Sequence, residues 1–199
     1  MADPRNSALT ARGQRTRTKL LGAAERVFGE MGFERASIVE ITKAAGVAQG
    51  TFYVYFESKQ SLFAQLVDAL GASLRQALAD ATVGLDSRMA VEEAGFDAFL
   101  GFIQAHRHLY KIVRQAEFVD EELYRRYYTR LAEGTIRALE SAMAEGEFVT
   151  RDAEAIAYTL MGIFDFIGMR WVLWEGKLPP PQVRESVLSF IAAALSPRA

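Results

Sequence analysis

The chain has no cysteine among its 199 residues. Disulfides and thiolate metal sites are therefore excluded, which fits a reducing, cytoplasmic setting. Histidine is nearly as scarce, with only His106 and His108. Spaced i, i+2 on a helix, the two point in different directions, so no metal site is expected there. No segment sustains the apolar/polar alternation of a strand, and the expected fold is all-α. Nucleophile–base pairs, metal-ligand spacings and phosphate loops are also missing, which argues against catalysis and against a cofactor. The first residues, MADPRNSALTARGQRTRTK, contain no apolar core of the kind a signal peptide needs and read as a disordered basic arm. Ala155 to Trp174 is the strongest membrane candidate. Asp165 and Arg170 argue against spanning, because each would cost about 2.5–3.5 kcal/mol near a bilayer centre.

Half of the residues are apolar, enough for one sizeable core or for a small domain joined to a larger one. The net charge of −2 is unevenly placed. Residues 1–60 carry nine Lys/Arg against six Asp/Glu, and the remainder carries 14 against 19. Affinity for a polyanion is therefore expected at the N-terminal end, where Arg5, Arg12, Arg15, Arg17 and Lys19 cluster.

Ile38 to Lys59, IVEITKAAGVAQGTFYVYFESK, organises the rest. Ser37 with Glu40 three residues on makes a capping box that starts a helix through Ile38, Ile41 and Ala45. Gly46 stops it, since glycine takes a left-handed conformation without a Cβ penalty, and a second short helix begins near Ala48. Val47, Phe52 and Phe56 are its apolar positions. Gln49, Gly50, Thr51, Tyr53 and Tyr55 are left for an outward or flanking face. Gln can bond base edges, glycine permits close backbone approach, and hydroxyls can hold phosphate oxygens. Helix-turn-helix pairs also occur as plain packing units, so the pair alone leaves both readings open.

The longer string from Leu20 to Leu62, with its FGEMGFE, KAAGV and GTFYVYF segments and the following SK, resembles the DNA-binding domain of the tetracycline-repressor (TetR) family of bacterial transcription regulators. The resemblance covers about the first third of the chain. It implies a three-helix helix-turn-helix domain with a basic arm over 1–60 and a helical ligand-binding and dimerisation domain over 61–199. Gln49, Gly50, Thr51, Tyr53 and Tyr55 align with positions that meet bases or phosphates, and Lys59 with a lysine that holds a backbone phosphate. Ser37 and Thr42 flank the first helix of the pair as further phosphate contacts. Ala48 departs from the usual Ser or Thr cap, and Thr42 from a usual Ala.

Beyond the helix pair, Ser58 can cap a helix of about 24 residues, the expected lever between the two domains. Further helices are expected at about 88–105, through Leu109 to Val113, at about 120–145, from Asp152 to Gly176, and after Pro181. The resemblance implies a small-molecule effector in this body. An apolar, aromatic or acyl-type ligand suits the candidate lining Phe99, Phe102, Ile103, Tyr110, Tyr124, Tyr128, Met161, Phe164, Asp165, Gly168 and Arg170. Asp165 and Arg170 sit in apolar surroundings and need partners, either protein or ligand. His106, Arg107, His108, Lys111 and Arg114 read as a solvated basic face, with acyl-coenzyme A phosphates a weaker alternative for it or for Arg125, Arg126 and Arg130. Trp171, Trp174, Val187, Phe190 and Ile191 are more apolar surface than one core needs, and in the family such helices form the dimer interface. A homodimeric repressor on a near-palindromic double-stranded operator, released by its ligand, is the expected function. The other reading is a helical small-molecule-binding protein or enzyme with a vestigial DNA-binding domain.

Overall fold

Local capping decides where many of the helices begin. The computed structural model describes residues 10–197, and among these there are nine α-helices and no strand. They are α1 Ala11–Met31, α2 Ile38–Ala45, α3 Gln49–Tyr55, α4 Lys59–Thr82, α5 Arg88–Ala105, α6 Leu109–Val119, α7 Glu121–Ala144, α8 Ala153–Ile167 and α9 Pro181–Leu195. The Thr10 hydroxyl accepts from the Gly13 N–H and starts α1 before the basic cluster. Arg12, Arg15, Arg17 and Lys19 therefore ride on a helix rather than an arm. Arg5 lies outside the described residues.

One expected helix changes character. From Asp152, whose carboxylate caps the Ala155 N–H, α8 runs to Ile167 and then widens into a π-helical segment, Gly168–Leu173. There the Trp174 N–H bonds to the Met169 carbonyl, five residues back. Gly168 and Val172 stay buried through the wider turn, while Trp174 is turned out to solvent. A uniform α-helix to Gly176 was the sequence expectation; periodicity alone does not reveal one residue of extra winding.

The chain divides into two compact units. The first runs to Leu70 and takes in His108–Arg125, so α6 joins α1–α3 and the start of α4. Its core holds Leu20, Phe28, Ile41, Phe52, Phe56, Leu62 and Phe63, all at most 2% exposed. The Phe28 and Phe63 rings meet edge to face with centroids 5.3 Å apart, and Phe33 meets Phe63 at 5.0 Å. Helix α6 docks on α1 through Gly29, where an added Cβ would stand 2.1 Å from His108 Cγ. Only glycine admits that approach.

The second unit comprises Gly71–Arg107 and the residues from Arg126 onward. Leu139, Ala142, Phe148, Ala157, Leu160, Ile191 and Leu195 form its apolar cluster, drawn from α7, α8, α9 and the loop after α7. Arg184 grips both carboxylate oxygens of Asp97, at 2.8 and 2.7 Å, and so ties α9 to α5. Covalently, α4 belongs to both units, since residues 59–70 lie in the first and 71–82 in the second.

Candidate nucleic-acid interface

Helix α2 is defined at both ends by its own residues. The Glu40 N–H donates to the Ser37 hydroxyl oxygen (3.2 Å), while the Ser37 N–H and hydroxyl both donate to the Glu40 carboxylate at 2.8 Å. These bonds hold the Glu40 carboxyl below its ordinary range, the side-chain bond from Ser37 contributing most. Gly46 closes the helix at φ 68°, ψ 37°, and the Val47 N–H returns to the Thr42 carbonyl at 3.0 Å. The chain then enters α3 at Ala48, which offers no side-chain cap.

Packing compensates on the inner side of α3. Phe52 and Phe56 are buried with ring centroids 5.6 Å apart, and the Arg17 guanidinium lies 5.6 Å from the Phe56 ring. Seven residues cannot hold a helix by propensity alone, so these two rings dock it. Its outer side shows Gln49, Gly50, Tyr53 and Val54 to solvent, with Tyr53 55% and Val54 64% exposed. Thr51 and Tyr55 flank this face, half-buried. The expected reading face is thus presented as one surface. Val54 belongs to it and was missed, because an apolar residue within FYVYF reads as core. At Gly50 an added Cβ would meet nothing within 4 Å, so packing within the chain does not call for glycine there.

Three other expected contacts are placed differently. Thr42 is 3% exposed, and its hydroxyl donates back to the Ile38 and Val39 carbonyls at 2.8 and 3.1 Å. That removes it from the phosphate contacts: the extra hydroxyl is satisfied inside its own helix. Ser37 is half-buried, with its hydroxyl engaged in the capping box. The Lys59 ammonium donates to the carbonyls of Phe33 (2.7 Å), Ala36 (3.0 Å) and Glu34 (3.4 Å), rather than standing clear of the chain. Further out, Lys43 on α2 is exposed, and α1 presents Gln14, Arg15, Thr18 and Lys19 along a shallow open groove.

The expected effector residues are distributed over both units. Tyr110 and Tyr124 belong to the first, the others to the second. There α5 and α8 bring Phe96, Phe99 and Phe164 together, with ring centroids 5.1 and 6.0 Å from Phe164. Buried Tyr127 lies against Gly71, whose added Cβ would stand 3.1 Å from its ring. Burial, then the Asp165 carboxylate, push its phenol well above the ordinary value, while Arg75 pulls the other way. Arg170 is corrected: it is exposed, ion-paired with Glu175 and 5.3 Å over the Trp171 ring. Within the basic cluster Arg107, Lys111 and Arg114 are exposed, as a solvated face requires, whereas the half-buried His106 stacks on Phe102 and the half-buried His108 packs on Gly29.

Of the expected dimer residues, Trp174 and Phe190 are exposed, while Trp171 and Val187 are half-buried. Ile191 is a correction, being 1% exposed within its own protomer's apolar cluster. Tyr158 and Phe166 on α8 are exposed and were not anticipated. The stretch Ala153–Leu173 is long and apolar enough to cross a membrane by composition, but Ala157, Leu160, Gly168 and Val172 are buried in the protein.

A family model described as "Bacterial regulatory proteins, tetR family" matches residues 20–66. Over 197 residues the chain is 26% identical to YdgC, an uncharacterized HTH-type transcriptional regulator of Bacillus subtilis (strain 168), covering 96% of this chain and 97% of that one. It is 24% identical over 190 residues to the HTH-type transcriptional repressor KstR2 of Rhodococcus jostii (strain RHA1), covering 90% and 91%. Among solved structures, the fatty acid degradation regulator FadR from Bacillus halodurans is similar with a TM-score of 0.79 at 18% identity, covering 88% of this chain and 94% of that one.

Proposed function

The chain belongs to the tetracycline-repressor (TetR) family of DNA-binding transcription regulators, and from that premise we propose that it reads a near-palindromic operator as a homodimer and leaves it when a small ligand binds. One observation carries the DNA half of the reading: a short, uncapped helix is docked by Phe52 and Phe56 so that Gln49, Gly50, Tyr53 and Val54 form one exposed face. Gln49 is the base reader, by bidentate bonding, and Val54 supplies apolar contact to a thymine methyl. Thr51, Tyr53 and Tyr55 hold phosphate oxygens. A glycine that nothing in the chain requires lets the helix approach the DNA backbone closely.

The dimer forms over the exposed apolar residues of α8, the π-helical segment and α9: Tyr158, Phe166, Trp174 and Phe190. Two-fold symmetry then sets the two α3 helices about 34–36 Å apart, one turn of DNA. Residues 1–60 act as the reading domain and 61–199 as the ligand-binding and dimerisation domain. The effector site lies among those expected residues that the second unit holds, around Phe99, Phe102, Ile103, Tyr128, Met161, Phe164 and Gly168. An apolar or acyl ligand fits that lining, and the similar FadR structure is described as a fatty acid degradation regulator. Ligand and operator binding are coupled negatively. Such a regulator works in the cytoplasm, where the bacterial chromosome lies.

The test is selection of bound duplexes from a random-sequence pool, followed by affinity measurement at several salt concentrations. A near-palindromic consensus bound by a dimer with strong salt dependence is expected. Recovery of no sequence preference would sink the reading. For the effector, fatty acids and acyl-coenzyme A thioesters of graded chain length are titrated into the complex. Release by one chain-length range is expected, and no release by any would remove the acyl proposal.

A further inference from the structure

Within the second unit, Arg75 of α4 stands four positions after Gly71, on the same face of the helix. Long helical side chains lean toward the N-terminus, and here that lean brings the guanidinium back over the glycine. An added Cβ on Gly71 would stand 3.3 Å from Arg75 Nη1 and 3.1 Å from Cδ2 and Cε2 of Tyr127. The glycine thus admits a guanidinium from α4 and the hydroxyl-bearing side of a phenol ring from α7, next to each other. Tyr127 belongs to the second unit as well.

The protein answers neither polar group. Arg75 is half-buried, and among the described residues its guanidinium has no hydrogen bond and no ion pair. Tyr127 is only 8% exposed, and its hydroxyl has no hydrogen-bond partner among the described residues either. A buried hydroxyl left in that state is costly. The phenol is held in its protonated, donating form, since burial and then the Asp165 carboxylate raise its value while Arg75 lowers it.

What converges here is one charged donor and one neutral donor, and a guanidinium has no acceptor to offer. Their complement is a negatively charged oxygen acceptor, and a carboxylate matches the planar fork of arginine. Because the Asp165 carboxylate already acts on the phenol, a second anion needs the positive charge of Arg75 beside it. The aromatic lining adjoins this spot. The Tyr127 and Tyr128 rings meet edge to face at 5.1 Å, and Asp165 directly follows Phe164 on α8.

We propose that Arg75 and the Tyr127 hydroxyl bind the carboxylate of an effector whose hydrocarbon chain lies along Tyr128 and Phe164, so that the ligand is a free fatty acid and not its ester or coenzyme A thioester. This rests on the proposed apolar or acyl effector site and adds a headgroup requirement to it.

Full-length protein is titrated by calorimetry, without DNA, with saturated fatty acids of graded chain length, their methyl esters and their coenzyme A thioesters. At the best chain length, wild type is expected to favour the acid over its methyl ester roughly tenfold or more. Arg75→Gln keeps a polar stem over Gly71 and Tyr127→Phe keeps the ring there. Each should lose most of the preference for the acid, while affinity for the methyl ester stays within about twofold of wild type. Equal binding of acid and ester by wild type overturns the proposal, as does tightest binding of the thioester. Equal loss of acid and ester in both variants also overturns it, because the two side chains would then only support the fold. If neither variant folds, the wild-type ranking of acid, ester and thioester decides. Should none of these compounds bind, the acyl-effector reading fails and takes the proposal with it. Operator release by esters or thioesters without preference for the acid leaves that reading standing and removes only the carboxylate site.

Discussion

Helix α2 begins on a reciprocal capping box and ends on a left-handed glycine, whereas α3, one residue shorter, begins at uncapped Ala48 and carries Gly50 in its first turn. Each device in α2 satisfies a backbone group at its own terminus. Helix α3 forgoes the side-chain cap, tolerates a poor helix former, and leaves Tyr53 and Val54 in solvent. Two buried rings hold it from beneath. The difference separates two tasks within one motif: α2 fixes a position, and α3, held by packing from beneath, presents the surface proposed above to meet DNA. Each of the following substitutions acts on one side of that division.

Phe52→Ala should have the largest effect. The ring is fully buried, and truncation in such a site costs about 3–5 kcal/mol. Denaturant unfolding should show that loss, and DNA binding should vanish with the docking of α3. A loss below about 1 kcal/mol would mean that something other than this ring holds the helix. Tyr53→Ala comes next and should divide the other way. Its side chain is more than half exposed, so stability should change by no more than about 0.5 kcal/mol. Affinity for the selected duplex should nonetheless fall roughly tenfold, about 1.4 kcal/mol. Equal losses in both measurements would erase the distinction between docking and presenting faces.

Ser37→Ala tests α2 and should cost about 0.5–2 kcal/mol at neutral pH. The loss should depend on pH in a fixed direction. Glu40 has a folded value below its ordinary 4.5, so its bonds to Ser37 contribute fully above 4.5 and fade as pH falls through the lowered value. The gap between wild type and variant should therefore narrow in strong acid to what the Glu40 N–H bond to the Ser37 hydroxyl contributes. A gap that is constant with pH would show that the carboxylate takes no part.

Much of this motif is legible in the sequence, and for a physical reason. Capping boxes, helix-stopping glycines and apolar stripes are local: Ser37 with Glu40, Gly46 and the Phe52/Phe56 pair act on residues within one or two turns. What the sequence conceals is where a side chain goes when it has a choice. Thr42 could face DNA or its own helix, and it is buried with its hydroxyl donating to the Ile38 and Val39 carbonyls. Lys59 reaches carbonyls 23 to 26 residues away, a pairing that no periodicity encodes. Val54 looks like core because it is apolar, and Ile191 looked like interface for the same reason. Gly29 shows the limit most plainly. It reads as one glycine in a FGEMG run, yet it is where α6, some 80 residues later, is admitted against α1.

Gly50→Ala should have the smallest effect on stability, and it opposes the ordinary rule that a site residue serves the fold. Glycine within a helix is about 0.5–1 kcal/mol worse than alanine, because it loses more backbone freedom on folding. A Cβ built there meets nothing within 4 Å, so alanine brings no clash inside the protein. The variant should unfold at a slightly higher denaturant concentration than wild type. Its affinity for the selected duplex should fall, because the added methyl group occupies space that the phosphate backbone needs. Gains in both stability and binding would mean that the surface above Gly50 is not where DNA lies. The glycine would then be left without a role, and α3 would lose the feature that most separates it from a packing helix.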